Sequence, residues 1–316
     1  MIKGVTIGIL VYNEEHGVEK AIRSAVDQCE RLIVSDNASS DRTGEICLRL
    51  AKEFSNLEYF RQPHNIGSMA NGLFLLSLVE TSYFMFLGGH DYLNSTYVKT
   101  LKELLDKNPD VVLAGGRNIP FRRDSGPCPA SVPIRPGFLD SHCAFNRVEF
   151  IAKDGLNKDG CFIMYGLHRM EIFRRCFGEQ VPTCGCDLII LAKEAAFGRI
   201  LISSKAEYYS ETRIADTQDE YFHRLTARRL DSKDMRREMV EYAKCMYSIV
   251  KQSAGVNHLI ALRPFRTRMH LSVKYGAFKG ESIFDFAPYI ATCLAEKCFC
   301  NPRQAPGSDS IPELQI

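Results

Sequence analysis

Short apolar runs rich in β-branched residues recur through the first 115 residues, each followed by a polar turn and an amphipathic stretch. The runs at 5–11, 32–34, 57–61, 83–87 and 111–114 read as buried strands. Between them, 18–26, 44–54, 68–78 and 94–105 carry apolar residues at helical spacing. Strand alternating with helix predicts an α/β fold, a doubly wound, mostly parallel, Rossmann-like sheet. Open sheets of this kind bind ligands beyond the carboxyl ends of their strands. The segment 31–43 shows chemistry arriving at that edge. Leu32, Ile33 and Val34 give way abruptly to Asp36, Asn37, Ser39, Ser40 and Asp41, all turn or capping residues.

The alternation stops after Ala114. Residues 120–140 hold Pro120, Pro127, Pro129, Pro133 and Pro136 and read as one long irregular loop, a common carrier of function. An apolar segment follows at 162–167, then helices at 171–176 and 187–197, the second ending at Gly198 as a C-cap. A strand is expected at 199–203. From about 216 the chain turns charged and helical, over 219–251. The tail at 258–300 mixes Arg263, Arg266, Arg268, Lys274 and Lys279 with Leu, Phe and Tyr, and 301–316 is expected to be loosely ordered. The pattern divides the chain into a domain over 1–215, with halves meeting near 115, and a helical C-terminal extension over 216–316.

Composition narrows the class. Of 316 residues, 45% are hydrophobic and 25% charged, as in ordinary globular proteins, and a net charge of +2 gives no reason to expect nucleic-acid binding. No apolar run reaches membrane-spanning length and no basic-then-apolar leader precedes the first strand, so a cytoplasmic protein is expected. The twelve cysteines lack zinc-site spacing. Cys184 and Cys186 sit too close together, and Cys293, Cys298 and Cys300 have no regular partner set. They read as reduced, largely buried thiols.

Two acidic residues follow strands, Asp36 and Asp91, with Asn13 and Glu14 after the first strand. A lone Asp there is more often a helix N-cap than a ligand. Several at one sheet edge favour a pocket for a nucleoside and an oxygen-ligated divalent cation.

Five segments in order resemble the glycosyltransferase family 2 pattern: V-Y-N-E-E at 11–15, V-S-D-N-A-S-S-D-R-T at 34–43, H-N-I-G-S-M-A-N-G at 64–72, Y-F-M-F-L-G-G-H-D-Y-L at 83–93, and Y-G-L-H-R at 165–169 with C-G-C-D-L-I-I-L-A at 184–192. The resemblance covers roughly 3–210. It implies a GT-A fold whose first half, about 1–115, binds a nucleotide-diphosphate sugar, and whose second half, about 116–215, meets the acceptor. It places Leu10, Val11, Tyr12, Glu14 and Asp36 around base and ribose, with Asn37, Asn65, Gly67, Asn71 and His90 completing the donor pocket. Asp91 is implied as the ligand of Mn²⁺ or Mg²⁺, a Lewis acid for the departing diphosphate. Here the usual acidic cluster is reduced to Gly89-His90-Asp91, with His90 a second ligand or a neighbour of the diphosphate.

The same resemblance makes Asp187 the general base for an inverting displacement, against a plain helix-capping role. It sets Tyr165, His168 and Arg169 beside the donor sugar and acceptor, and suggests His223 and Arg224 as a lid over the diphosphate. The expected activity is transfer from a nucleotide-diphosphate sugar, a uridine one, to a hydroxyl of a glycan, by analogy in bacterial surface polysaccharide synthesis. The basic tail reads as a solvated helical cap or as a contact with an anionic membrane face, which suits a lipid-linked acceptor. Two other classes stay open. A nucleotidyltransferase would show a Gly-rich basic phosphate loop where this chain has V-Y-N-E-E. A non-catalytic nucleotide-sugar-binding scaffold is motivated by the eroded acidic motif.

Overall fold

A computed structural model describes residues 1–124, 126–128, 138–154, 161–177, 185–212 and 232–253. The expected alternation appears as β1 (Val5–Val11), α1 (Val18–Ala25), β2 (Arg31–Asp36), α2 (Thr43–Glu53), β3 (Leu57–Arg61), α3 (Ser68–Ser77), β4 (Tyr83–Gly88), β5 (Tyr92–Leu93), α4 (Tyr97–Lys107) and β6 (Val111–Arg122). There follow β7 (Gly126–Pro127), α5 (Ala144–Asp154), β8 (Leu167–Arg169), α6 (Met170–Cys176), α7 (Cys186–Phe197), β9 (Arg199–Glu211) and α8 (Ser232–Ser253). The helices bury the residues their periodicity marks: Val18, Ala21, Ile22 and Ala25 in α1, and Tyr97, Val98, Leu101 and Leu105 in α4.

The sheet runs in the order β3-β2-β1-β4-β8-β6-β9-β5, with β7 paired to β6. Strands β3, β2, β1 and β4 are parallel to one another, and so are β6 and β9. Strand β8 is antiparallel to both β4 and β6. The carboxyl ends of β1, β2, β4, β6 and β9 therefore all reach one edge. One face of the sheet packs α1, α2 and α4; the other packs α3, α5, α6, α7 and α8.

The second half departs from its sequence pattern. The irregular loop expected at 120–140 begins later, because β6 extends to Arg122 and pairs with β9 as far as Phe121–Glu211. Strand β9 is correspondingly long, running well beyond the expected 203. A register shift between Gly116 and Arg117 breaks the pair in two. Gly116 sits where a Cβ would lie 2.4 Å from the Tyr97 ring and 2.7 Å from the Ala206 carbonyl, so only glycine permits that approach. The outer half of β9 then carries β5, and the end of β6 carries β7. Helix α5 and strand β8 were not marked by any run in the pattern.

Helix α8 is no loose appendage: Tyr242, Ala243, Met246, Ile249 and Val250 are buried in the same core as α5 and α7. The tail at 258–300, the end at 301–316, residues 125 and 129–137 of the Pro-rich segment, Cys184, Cys293, Cys298, Cys300, and the lid pair His223 and Arg224 lie outside the described residues. Cys29, Cys47, Cys128, Cys143, Cys176 and Cys245 are free thiols; burial pushes Cys29 and Cys47 up to about 12, which suits apolar packing and not nucleophilic use.

Candidate functional site

The loop after β1 and the turn after β2 are tied together by their own polar groups. Asn13 accepts from the Ser40 amide at 2.8 Å through Oδ1 and donates its amide to Ser39 Oγ at 3.0 Å. The Glu14 amide donates to Thr43 Oγ1 at 2.7 Å, and the Glu15 amide to Asp41 Oδ2 at 3.0 Å. Asn13 and Ala38 take positive φ, 57° and 64°, where these turns reverse.

Asp36 organises this turn. Its side chain is fully buried. Oδ1 accepts from the Ser39 amide at 2.8 Å and Ser39 Oγ at 2.6 Å, and Oδ2 accepts from Tyr59 Oη at 2.7 Å and Arg61 Nη1 at 2.8 Å. With four protein donors, the carboxylate is not open to a nucleoside in this geometry; Tyr59 and Arg61 carry its influence to the surface. Asn37 donates through Nδ2 to Asn65 Oδ1 at 2.8 Å and accepts from the Ile66 amide at 2.9 Å. Asn65 also accepts from the Gly67 amide at 2.9 Å. Gly67 enters α3 at φ 84°, ψ 156°, a backbone region reserved for glycine. This knot forms a firm rim at the ends of β2 and α3, and half-buried Tyr12 shares the same sheet edge. Leu10 and Val11 instead pack into the two cores.

Asn71, expected in the donor pocket, braces α3 against β2. Its Oδ1 accepts from Ser35 Oγ at 2.6 Å and Gln62 Nε2 at 3.2 Å, and its Nδ2 donates to the Ser35 carbonyl at 3.0 Å. It is buried and used up by its neighbours.

The reduced motif after β4 has its own logic. A Cβ on Gly88 would lie 2.3 Å from Asp91 Oδ2, and one on Gly89 would lie 3.0 Å from Glu14 Cγ. The two glycines make room for carboxylates that fold back beside them. Glu14 Oε1 lies 3.1 Å from His90 Nδ1, and His90 Nε2 lies 3.7 Å from Asp91 Oδ1. Asp91 itself turns into the protein: Tyr208 Oη donates to Oδ2 at 2.6 Å, and the Glu211 amide donates to Oδ1 at 2.8 Å. Burial pushes the Asp91 carboxyl above its ordinary range, opposed first by the charge of His90. A divalent cation wants several outward-facing, ionised oxygens. Asp91 is inward and bonded, Glu14 is engaged with His90, and among the described residues no three His, Cys, Asp or Glu converge for a metal. These residues do not fit a metal ion in this arrangement.

On the acceptor side, topology carries Asp187 to the right edge. Helix α7 ends at Gly198, next to the start of β6, where the Arg199 amide donates to the Asp110 carbonyl at 3.0 Å. Its twelve residues rise about 18 Å, so its N-terminus lies toward the carboxyl edge of the sheet. Gly185 caps it at φ 69°, pressed so close that a Cβ would stand 2.7 Å from the Tyr242 ring of α8. Asp187 is half-buried in that first turn. Tyr165 stacks on Tyr208 at 5.0 Å, one residue removed from Asp91.

His168 and Arg169 are corrections to the expected acceptor role. His168 is fully buried, with Nδ1 2.8 Å from Glu194 Oε1 and Nε2 3.0 Å from the Met164 carbonyl. It pairs with Phe84 near the start of β4 and so lies deep in the sheet. Arg169 sits at the opposite edge, opposite Tyr83, donating to the carbonyls of Val111 and Leu105 at 2.7 Å each. The short strand β8 carries both away from the carboxyl ends.

A cavity of about 530 Å³ opens between the β1 loop (Asn13, Glu14, His16) and the ends of β6 and β9 (Arg122, Arg123, Glu211). Arg123 Nη2 donates to Glu211 Oε2 at 2.8 Å. Tyr208, Glu211 and Arg122 escaped the sequence pattern, since they belong to strand extensions beyond the expected bounds, and Arg123 follows directly on β6; the Tyr208-Tyr209 pair is a β-forming signal there.

Residues 6–152 match the model of the family described as Glycosyl transferase family 2. Among solved structures, S. aureus TarS 1-349 in complex with UDP-GlcNAc superposes with a TM-score of 0.61 at 13% identity, covering 92% of this chain and 80% of TarS 1-349. The same protein in complex with UDP gives 0.53 at 13% identity, covering 89% and 94%. No curated protein gives a significant sequence match.

Proposed function

From the match of residues 6–152 to the model described as Glycosyl transferase family 2, we propose that the chain is a transferase of this kind, moving a sugar from a nucleotide-diphosphate donor to a glycan hydroxyl with inversion. The observation that carries this reading is the meeting, at one sheet edge, of the β1 loop, the β2 turn and His90 after β4; the direction of α7, which ends beside the start of β6, supports placing Asp187 toward the same edge. A UDP-linked donor is the first choice, because the superposable TarS structures were solved with UDP-GlcNAc and UDP. The base and ribose lie along the rim of Tyr12, Asn37, Asn65 and Gly67, with Asp36 shaping it through Tyr59 and Arg61. The diphosphate lies at His90, which Glu14 holds. Asp187 takes the acceptor proton as the hydroxyl oxygen bonds to the anomeric carbon. The anomeric C–O bond breaks on the opposite face, and its electron pair leaves with the diphosphate.

Because the donor set at Asp91 does not fit a metal, turnover is expected to persist in EDTA within about twofold of its rate with Mn²⁺. Hydrolysis of a donor panel with and without Mn²⁺ measures this; strict dependence on Mn²⁺ sinks the metal-free reading. Tight UDP binding without turnover of any donor favours the scaffold class instead.

No helix among the described residues is long and apolar enough to cross a membrane. A peripheral contact through the basic tail, at the inner membrane face and serving a lipid-linked acceptor in surface polysaccharide synthesis, follows as part of the same proposal. Since α8 belongs to the core, the comparison is between the full chain and one ending at Ser253. The full chain is expected to float with anionic vesicles and the shortened one to stay behind. Equal flotation ends the membrane idea.

A further inference from the structure

A second cleft, of about 200 Å³, adjoins the cavity on the α1 face of the sheet, behind His90 and Gly17. Lys20, Tyr92 and Phe121 wall it, with His16, Arg122 and Arg123 shared between cleft and cavity, and among the described residues no carboxylate lines it. The Lys20 ammonium stands 3.4 Å from the centre of the Tyr92 ring and 5.0 Å from that of Phe121. Tyr92 is itself fixed by Tyr209, stacked 4.4 Å away at 5°. Burial lowers the Lys20 pKa, opposed by the charge of Glu211. Glu211 also pairs with Arg123, so one of the three permanent cations is largely neutralised. Arg122 makes no side-chain hydrogen bond or ion pair among the described residues and is exposed.

An ammonium held by two aromatic rings and partly stripped of water is a preorganised point charge. A guanidinium next to it offers a planar fork that matches phosphate or carboxylate oxygens. None of the rim residues Asn37, Asn65 or Gly67 lines this cleft, whereas His90 does, so it is distinct from the nucleoside rim and adjoins the position proposed for the diphosphate. We propose that Lys20 and Arg122 bind an anionic group, phosphate or carboxylate, carried on the sugar acceptor. A ligand spanning the shared residues His16 and Arg123 would have its charged group in the cleft and its sugar in the cavity. Assigning the anion to the acceptor rests on the transferase reading; the anion site itself does not.

Calorimetric titration of the full chain with glucose 6-phosphate, glucuronate and glucose tests this, alongside Lys20→Gln, Arg122→Gln and the double variant. The charged sugars are expected to bind at least tenfold tighter than glucose, and the double variant to bring them down to the level of glucose. The tighter of the two names the preferred anion. UDP affinity is expected to be the same in all four proteins. Equal binding of charged and neutral sugars, or an unchanged affinity in the double variant, overturns the proposal. So does a parallel loss of UDP binding, which would make the cleft part of the donor site. A wild-type chain that binds glucose 6-phosphate but no nucleotide would sink the nucleotide-sugar reading and leave the anion cleft standing.

Discussion

Asp187→Asn is expected to lower kcat for sugar transfer by about 10²–10⁴-fold, the range a positioned general base supplies, with UDP affinity kept. Asp187 stands in the first turn of α7, and the proposed function sets that turn at the edge shared by His90 and the β1 loop. Asparagine preserves the shape and the capping capacity of the side chain but accepts no proton. Its electrostatic cost at a helix N-terminus is about 0.3–1 kcal/mol, too small to unfold the domain. A thermal melt within a few degrees of wild type, together with intact UDP binding by calorimetry, would separate the chemical loss from a structural one. Turnover near the wild-type rate in Asp187→Asn would return Asp187 to a simple cap.

Why the first half was readable and the second was not follows from the kind of burial each strand meets. Strands β1, β2 and β4 are covered on both faces, so their apolar runs are nearly continuous, and the helices between them repeat buried residues every three to four positions. Bounds moved by one to three residues, as at α4, which starts at Tyr97. Strand β6 beyond Gly115 is half-buried on alternating or irregular positions and contains Pro120, so composition alone reads as loop. What makes it a strand is its partner β9, nearly ninety positions away in the chain. Strand β8 is only three residues long. No periodicity resolves so short an element, and its antiparallel insertion between β4 and β6 is a tertiary fact.

The candidate site divides in the same way. Residue types placed at strand ends were legible: Asp36, Asn37, Asn65, Gly67, His90 and Asp91 all fall on the edge where the alternation puts them. What each side chain does there was not, because that depends on neighbours distant in sequence. Asp36 faces Tyr59 and Arg61 from β3, and Asp91 faces Tyr208 from β9, so two carboxylates with ligand-like positions serve as struts. The motif around Tyr165 to Arg169 misled for another reason. The resemblance sets His168 and Arg169 beside the ligands, whereas they lie on a central strand whose histidine is fully buried.

Replacing Glu194 with leucine is expected to destabilise the chain by about 3–5 kcal/mol, the usual effect of removing one member of a buried pair. Glu194 and His168 are both fully buried. His168 Nε2 faces the Met164 carbonyl, which only accepts, so that nitrogen carries a proton. Nδ1 meets both Glu194 oxygens, at 2.8 and 3.0 Å. Either the imidazolium faces the carboxylate, or a protonated Glu194 donates to Nδ1; both satisfy every polar atom. Leucine satisfies neither, and a ring nitrogen is stranded among Phe173 and the α7 side chains. At roughly 2–4 °C per kcal/mol for a domain of this size, the melting temperature should fall by about 10 °C. The double variant His168→Leu, Glu194→Leu removes both polar partners and is expected to recover most of that loss. Both variants, assayed well below their melting points, should keep kcat within a few fold, because the pair lies level with Phe84 and Leu113 and not at the carboxyl edge. A Glu194→Leu protein that melts like wild type yet loses transfer would overturn the structural role and restore His168 to the acceptor site.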